Sequence, residues 1–416
     1  MGRPRGALGV RQAPARIFDS ANEGAAAFES APWTASARKE DDESAWLLEF
    51  AALAARTDKF NDRADHAALL AAGLIGEAGS VVSELKKKRR EREAYPVYRE
   101  RMVEEIGDFL WYFVRLVAVV APGLIEQLPL PDKAERPTTD GDPLTGHLDF
   151  GAAVGEVLAA VSTSKNDDMR KGLRRTWTLL TVISRNAGVC LRDAAERNTA
   201  KTRSRWPDER AYVPQFDDAF PLEEQLPRWL QVDFVERTRG SHKAVILRCN
   251  GINFGDRLTD NIADPDGYRF HDIFHFAYAV HLGWSPVVRS LMRTKRKSDA
   301  KIDEAQDGAR AGIIEEAVSA IVFSRAKQLE FFDGLDHVDF DLLKMVKEFV
   351  EGFEVAAVPL WQWEIAILDG YRVFRSLCSG PGGRVTLDLD ARQLTYAPHV
   401  SSDERQRLTS TPRGFP

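Results

Sequence analysis

Glu77 and Glu84 stand seven residues apart in Gly-Leu-Ile-Gly-Glu-Ala-Gly-Ser-Val-Val-Ser-Glu-Leu-Lys-Lys, residues 73–87. Seven residues correspond to roughly 700° of helical rotation, so on a helix both carboxylates leave from one face. A second acidic pair, Glu105 and Asp108, sits three apart in Glu-Glu-Ile-Gly-Asp-Phe-Leu-Trp-Tyr, with Ile106, Leu110, Phe113 and Val117 supplying the apolar side of that helix. Two helices packed through these faces would gather three or four carboxylates, whose repulsion is tolerable only around a cation. An oxygen-only donor set suits Mg²⁺, with Mn²⁺ as the alternative, and leaves positions for water and phosphate oxygens. The competing reading is a solvated helix face, ion-paired with Lys86, Lys87 and Lys88.

The second half of the chain holds another set. His271 and His275 are separated by four residues, with Asp272 between them, a spacing suited to a metal site on one helical turn. Downstream, Glu304, Asp307 and Glu315 fall near the stripe that carries Val318 and Val322, with Glu316 in reserve. Carboxylates aligned with apolar residues face a helix interface, which is costly unless they bind something. All six, His271, Asp272, His275, Glu304, Asp307 and Glu315, are therefore candidate metal ligands. Against this stands a packing or capping role for the histidines. The cluster Arg293, Lys295, Arg296 and Lys297 reads as a solvated loop in preference to a phosphate grip.

The run Gly-Leu-x-Gly-Glu-Ala-Gly, then Glu-Leu-Lys-Lys, then Glu-Glu-x-Gly-Asp-x-Leu-Trp-Tyr resembles the MazG-like all-α nucleoside triphosphate pyrophosphohydrolases. The stretch Asn198 to Pro207 resembles the N-x-x-K segment and R-W-P ending of the same family. The resemblance covers residues 46–207 and implies that Glu77, Glu105 and Asp108 are catalytic. It also implies that these three hold Mg²⁺ while an NTP is cut to NMP and pyrophosphate. Ser80 departs from the pattern, which has a second glutamate there; Glu84, one turn on, is the substitute ligand. Lys86, Asn198, Lys201, Arg203 and Arg205 would bind the triphosphate, as charge-assisted donors do. The family also implies a homo-oligomer. A non-catalytic nucleotide-binding protein of a stress or defence response, its site degraded at Ser80, is the competing class. The Glu304–Asp307 pair repeats the E-x-x-D spacing, so the second half reads as a diverged module of the same superfamily.

These residues need helices to hold them. Apolar recurrence at three and four predicts helices near 47–54, 66–88, 98–120, 148–162, 169–187 and 191–201, then near 270–281, 286–293, 305–328, 340–354 and 361–377. Asn250-Gly251 between 244–248 and 252–254 predicts a hairpin, and the alternation over 384–396 predicts another. The expected fold is mainly α: an all-α bundle followed by a second mostly helical domain with short β-hairpins. The expected organisation is a disordered extension over 1–44, a bundle over 45–210, a linker over 211–243 and a second domain over 244–416. The prolines between 121 and 146 would interrupt the bundle.

Composition bounds the function. With 416 residues, 44% hydrophobic and 29% charged, the chain is an ordinary globular one. A net charge of -6 argues against stable nucleic-acid binding. The apolar run 110–124 is broken by Arg115 and Pro122 and predicts no membrane span, and the arginine-rich first sixteen residues predict no secretory signal. Three cysteines, none in a C-x-x-C pair, argue against disulfide or zinc-cysteine scaffolds and fit a reducing cytoplasm. Neither a Walker loop nor a dinucleotide-binding glycine fingerprint occurs.

Overall fold

The computed structural model describes residues 45–129, 143–163, 165–240 and 242–399. The expected extension over 1–44 lies outside them, as does part of the proline-rich interruption. Among the described residues, six α-helices form the first half: α1 (Ala45–Arg56), α2 (His66–Glu91), α3 (Tyr98–Val120), α4 (Pro143–Thr163), α5 (Asn166–Asn186) and α6 (Leu191–Arg205). Their apolar faces close over one core that includes Leu74, Val81, Ile106, Phe109, Phe113, Phe150 and Trp177. Helices α2 and α4 are long and apolar enough by composition to cross a bilayer. Both nevertheless send residues such as Leu74 and Val154 into this core, an arrangement compatible with a soluble protein.

Glycine sets how closely two of these helices approach. A Cβ on Gly107 in α3 would stand 2.6 Å from the carbonyl oxygen of Ala194 in α6 and 3.1 Å from Cβ of Asn198. Only a residue without a side chain lets α6 lie against α3 here. Similarly, Gly73 in α2 leaves the space that the Tyr112 ring fills.

The second half contains α7 (Asp272–Leu282), α8 (Pro286–Met292), α9 (Ala300–Ala305), α10 (Ala309–Lys327), α11 (Phe340–Phe349) and α12 (Leu360–Cys378). Its strands are β1 (Trp229–Arg239), β2 (His242–Cys249), β3 (Ile252–Leu258), β4 (Gly382–Asp388) and β5 (Gln393–Ala397). Both expected hairpins form. Asn250 and Gly251 adopt φ of 50° and 80°, the positive values that a two-residue turn between β2 and β3 requires. The hairpins are not separate appendages, however. They join through β1 into one antiparallel sheet of order β3-β2-β1-β4-β5. The segment 211–243, expected as a linker, thus contains the central strand. Its alternating Leu230, Val232 and Phe234 point inward and join a core with Phe276 of α7 and Tyr371 and Phe374 of α12. The expected single helix over 305–328 is also broken, between α9 and α10, at Gln306–Gly308.

The two halves touch along α6. Arg205 donates to the carbonyl of Val338 at 2.7 Å and lies 3.7 Å from Glu364. The Ser204 hydroxyl accepts from the amide of Leu360, and Lys344 of α11 pairs with Glu104 of α3 at 2.6 Å.

Gly107→Ala should lower stability, because overpacking costs of about 1–3 kcal/mol exceed a helix-propensity gain of about 1 kcal/mol. Gly76→Ala, with nothing within 4 Å of the added Cβ, should be neutral or stabilising. Urea unfolding of both variants checks the pair; a Gly107→Ala protein as stable as wild type would contradict the close-approach account.

Candidate functional site

Helices α2 and α3 pack side by side and bring Glu77, Glu105 and Asp108 together. One carboxylate oxygen from each lies within 4.8 Å of the others, and all three residues are half-buried. Helix α6 supplies the facing wall, where Asn198 donates through Nδ2 to Asp108 at 2.7 Å and the Lys201 ammonium pairs with the same carboxylate. The Lys201 ammonium also sits 5.3 Å from the ring centre of Phe340 on α11. One turn before Asp108, Glu104 is held by Lys344 and by Arg101.

Crowding is written into the acidities. Burial pushes the Glu77 carboxyl up to about 7, and the charges of Asp108 and Glu105 add to that, only partly offset by Lys201 and Lys344. Glu105 is raised by burial and then by Asp108 and Glu104. Glu104 moves the other way: burial raises it, but Lys344 prevails and its acidity is strengthened. Glu77 and Glu105, both with raised proton affinity, stand with Asp108 as an oxygen-only donor set that fits a hard divalent cation.

Glu84, expected in the same set, is not part of it. Its carboxylate is buried and accepts from the Tyr95 hydroxyl and from Lys87, so it ties the end of α2 to the following loop. Seven residues do keep it on the same side of α2, but two further turns carry it along the axis beyond reach of the trio. Ser80 is half-buried on the intervening turn. Of the expected phosphate binders, Asn198 and Lys201 face the trio, whereas Lys86 and Arg203 are exposed. Arg205 is buried and spent on Val338 and Glu364. Lys344 was missed in the sequence because its partner lies 240 residues away.

In the second half the structure divides the six expected ligands. His271, Asp272 and His275 cluster at the start of α7, again with one ligand atom each within 4.8 Å. Glu315 is buried behind His275, not beside the other acids, and it accepts from His275 Nδ1 at 2.8 Å, Ser285 Oγ at 2.6 Å and the Val287 amide at 2.8 Å. Glu316, held in reserve, faces the cluster: its carboxylate lies 3.3 Å from Nε2 of His275. Burial disfavours an imidazolium at His275, but Glu315 and Glu316 outweigh it and hold its pKa well above the usual value. Asp307 belongs elsewhere, in a buried network with Arg296 at 2.7 Å. Arg296 also pairs with Glu354 at 2.6 Å, and Arg289 with Asp217 at 2.6 Å. Glu304 is exposed on α9. The expected echo of the first site at Glu304 and Asp307 is therefore a structural ion pair and a surface acid. Arg296, read as a loop cation, is fully buried. Neither cluster lies in the broad cleft between the β2–β3 hairpin and the end of α12, whose lining includes Arg237, Lys243, Arg257 and Arg375.

Residues 211–400 match the family model described as the MazG C-terminal domain, a span that takes in the whole sheet and α7 to α12. No curated protein and no solved structure matches the chain.

Two outcomes follow from this geometry. Glu77 has a folded-state pKa of about 7, above its ordinary 4.5, so the stability penalty of ionising it in the folded state is absent at low pH and grows as pH climbs from 4.5 toward 7. Metal-free protein should therefore unfold at progressively lower temperature across that window. Glu77→Gln or saturating Mg²⁺ should flatten the trend, and calorimetry at fixed salt checks it. Asp307→Ala should cost about 1–3 kcal/mol by removing one of the two carboxylates that hold buried Arg296, whereas Glu304→Ala should be silent in the same denaturation assay.

Proposed function

We propose that this chain, whose residues 211–400 match the family model described as the MazG C-terminal domain, is a Mg²⁺-dependent hydrolase that cuts nucleoside triphosphates to monophosphate and pyrophosphate. The observation that supports it best is the meeting of Glu77, Glu105 and Asp108 opposite Asn198 and Lys201. These are the acids and donors by which residues 46–207 resemble the MazG-like pyrophosphohydrolases.

Glu77, Glu105 and Asp108 would hold the metal. When bound, Mg²⁺ supplies the positive charge that lets three carboxylates and a polyphosphate share one site. The remaining work belongs to the chain. Lys201 is a compact cation beside Asp108, placed to share its charge with phosphate oxygens, and the Asn198 amide gives that carboxylate a fixed orientation. The half-buried trio takes up the proton of the attacking water on a carboxylate oxygen. Lys344, reaching from the second half to Glu104, offsets negative charge at the rim. The three cysteines are free, in keeping with a reducing cytoplasm, and a homo-oligomer completes the proposal.

A second reading rests on one observation. Ser80 replaces a family acid, and Glu84, the nearest replacement, is occupied by Tyr95 and Lys87. With one metal ligand fewer, the site would bind nucleotide and turn it over weakly, as a regulatory protein would.

Purified protein assayed with Mg²⁺ against each ribo- and deoxynucleoside triphosphate separates the two. Hydrolysis predicts pyrophosphate from at least one substrate, a fall in kcat of at least about 100-fold in Glu105→Gln, and a raised KM in Lys201→Ala. Nucleotide binding without pyrophosphate from any substrate would favour the regulatory reading. Neither binding nor release would end both.

A further inference from the structure

The cluster at the start of α7 has the features of a metal site with its supporting shell in place. His271 ends the turn Tyr268–Phe270 and precedes α7, its ring stacked on Tyr268 at 4.4 Å between centres. Its Nδ1 lies 2.9 Å from the carbonyl oxygen of Tyr268. A carbonyl only accepts, so Nδ1 carries the proton and Nε2 is left with its lone pair. One turn later, Nδ1 of His275 faces the Glu315 carboxylate at 2.8 Å, so in the neutral ring Nδ1 donates and Nε2 is the atom at which a cation can take the place of a proton.

Both lone pairs converge on two carboxylates. Nε2 of His271 lies 3.3 Å from Asp272 and 4.0 Å from Glu316, and Nε2 of His275 lies 3.3 Å from Glu316. His275 is completely buried, yet its Nε2 has no hydrogen bond of acceptable geometry. A fully buried imidazole nitrogen without such a bond, aimed at a carboxylate, is the group that a cation would satisfy. Glu315 meanwhile behaves as an outer carboxylate: it is held by Ser285 and the Val287 amide and fixes the His275 tautomer. Glu316 is 46% exposed, so the site opens to solvent on that side.

We propose that Nε2 of His271, Nε2 of His275, Asp272 and Glu316 bind one divalent transition metal ion, of the class of Zn²⁺, Co²⁺ or Mn²⁺. Two imidazoles with carboxylates select such an ion over Mg²⁺, whose preference is for oxygen alone. The site is independent of the acidic trio between α2 and α3, and the proposal does not rest on pyrophosphohydrolase activity.

The test uses full-length protein stripped with chelator, then dialysed against Co²⁺ or Zn²⁺ in a large excess of Mg²⁺ that occupies oxygen-only sites. Wild type should retain one Co²⁺ per chain, give a visible d–d absorption band and unfold at a higher temperature than the stripped form. Glu105→Gln should behave like wild type. Asp272→Asn and Glu316→Gln should weaken Co²⁺ binding, and Glu315→Gln should weaken it by about 10–100-fold. His271→Ala should abolish the absorption band, with circular dichroism confirming that the variant is folded. If wild type retains no Co²⁺ or Zn²⁺ above the Mg²⁺ background, the proposal fails, and His275 is an imidazolium paired with Glu315 and Glu316. It fails equally if Asp272→Asn, Glu316→Gln and Glu315→Gln all bind as tightly as wild type.

Discussion

Electrostatic repulsion among Glu77, Glu105 and Asp108 is the constraint around which the first half of this molecule is arranged. Three half-buried carboxylates within 4.8 Å are unfavourable in an apolar bundle. The fold answers from two directions: α6 brings Asn198 and Lys201 to Asp108, and α11 brings Lys344 to the neighbouring Glu104. What remains unbalanced is visible in Glu77, held near neutrality in its acidity. A helical bundle optimised for stability alone would place fewer acids here, and this residual strain is what the proposed cation would relieve.

The same argument explains why the two halves are in contact where they are. Gly107 lets α6 approach α3, and the end of α6 then carries Ser204 and Arg205 into the second half, where they meet Leu360, Val338 and Glu364. The segment that supplies donors to the acidic trio is thus the segment that anchors the second half of the chain. Phe340 and Lys344 on α11 complete that wall, which makes the second half a neighbour of the acidic site.

Much of this was legible in the sequence because it is local. Helical periodicity located the bundle, the Asn250-Gly251 turn located its hairpin, and the i, i+3 spacing of Glu105 and Asp108 put both on one face. Glu84 misled because angular position on a helix says nothing of axial distance, and Tyr95 and Lys87 claim it. Arg205 and Asp307 misled for a related reason: residue type suggested ligand chemistry, but partners on other segments, Val338 and Arg296, engage them. Strand β1 was hidden in a presumed linker because its pairing with β4 spans about 150 residues and leaves only a short alternation behind. His271, Asp272 and His275 were found by spacing, while the exchange of roles between Glu315 and Glu316 needed the packing of α10 against α7.

The central claim is that the acidic trio, with Asn198 and Lys201, directs water to the α-phosphorus of a nucleoside triphosphate. Hydrolysis in ¹⁸O-labelled water with Mg²⁺, followed by ³¹P NMR of the products, tests it most directly. The account predicts ¹⁸O in the nucleoside monophosphate and none in the released pyrophosphate. Label in orthophosphate beside a nucleoside diphosphate, or triphosphate left intact, would contradict it.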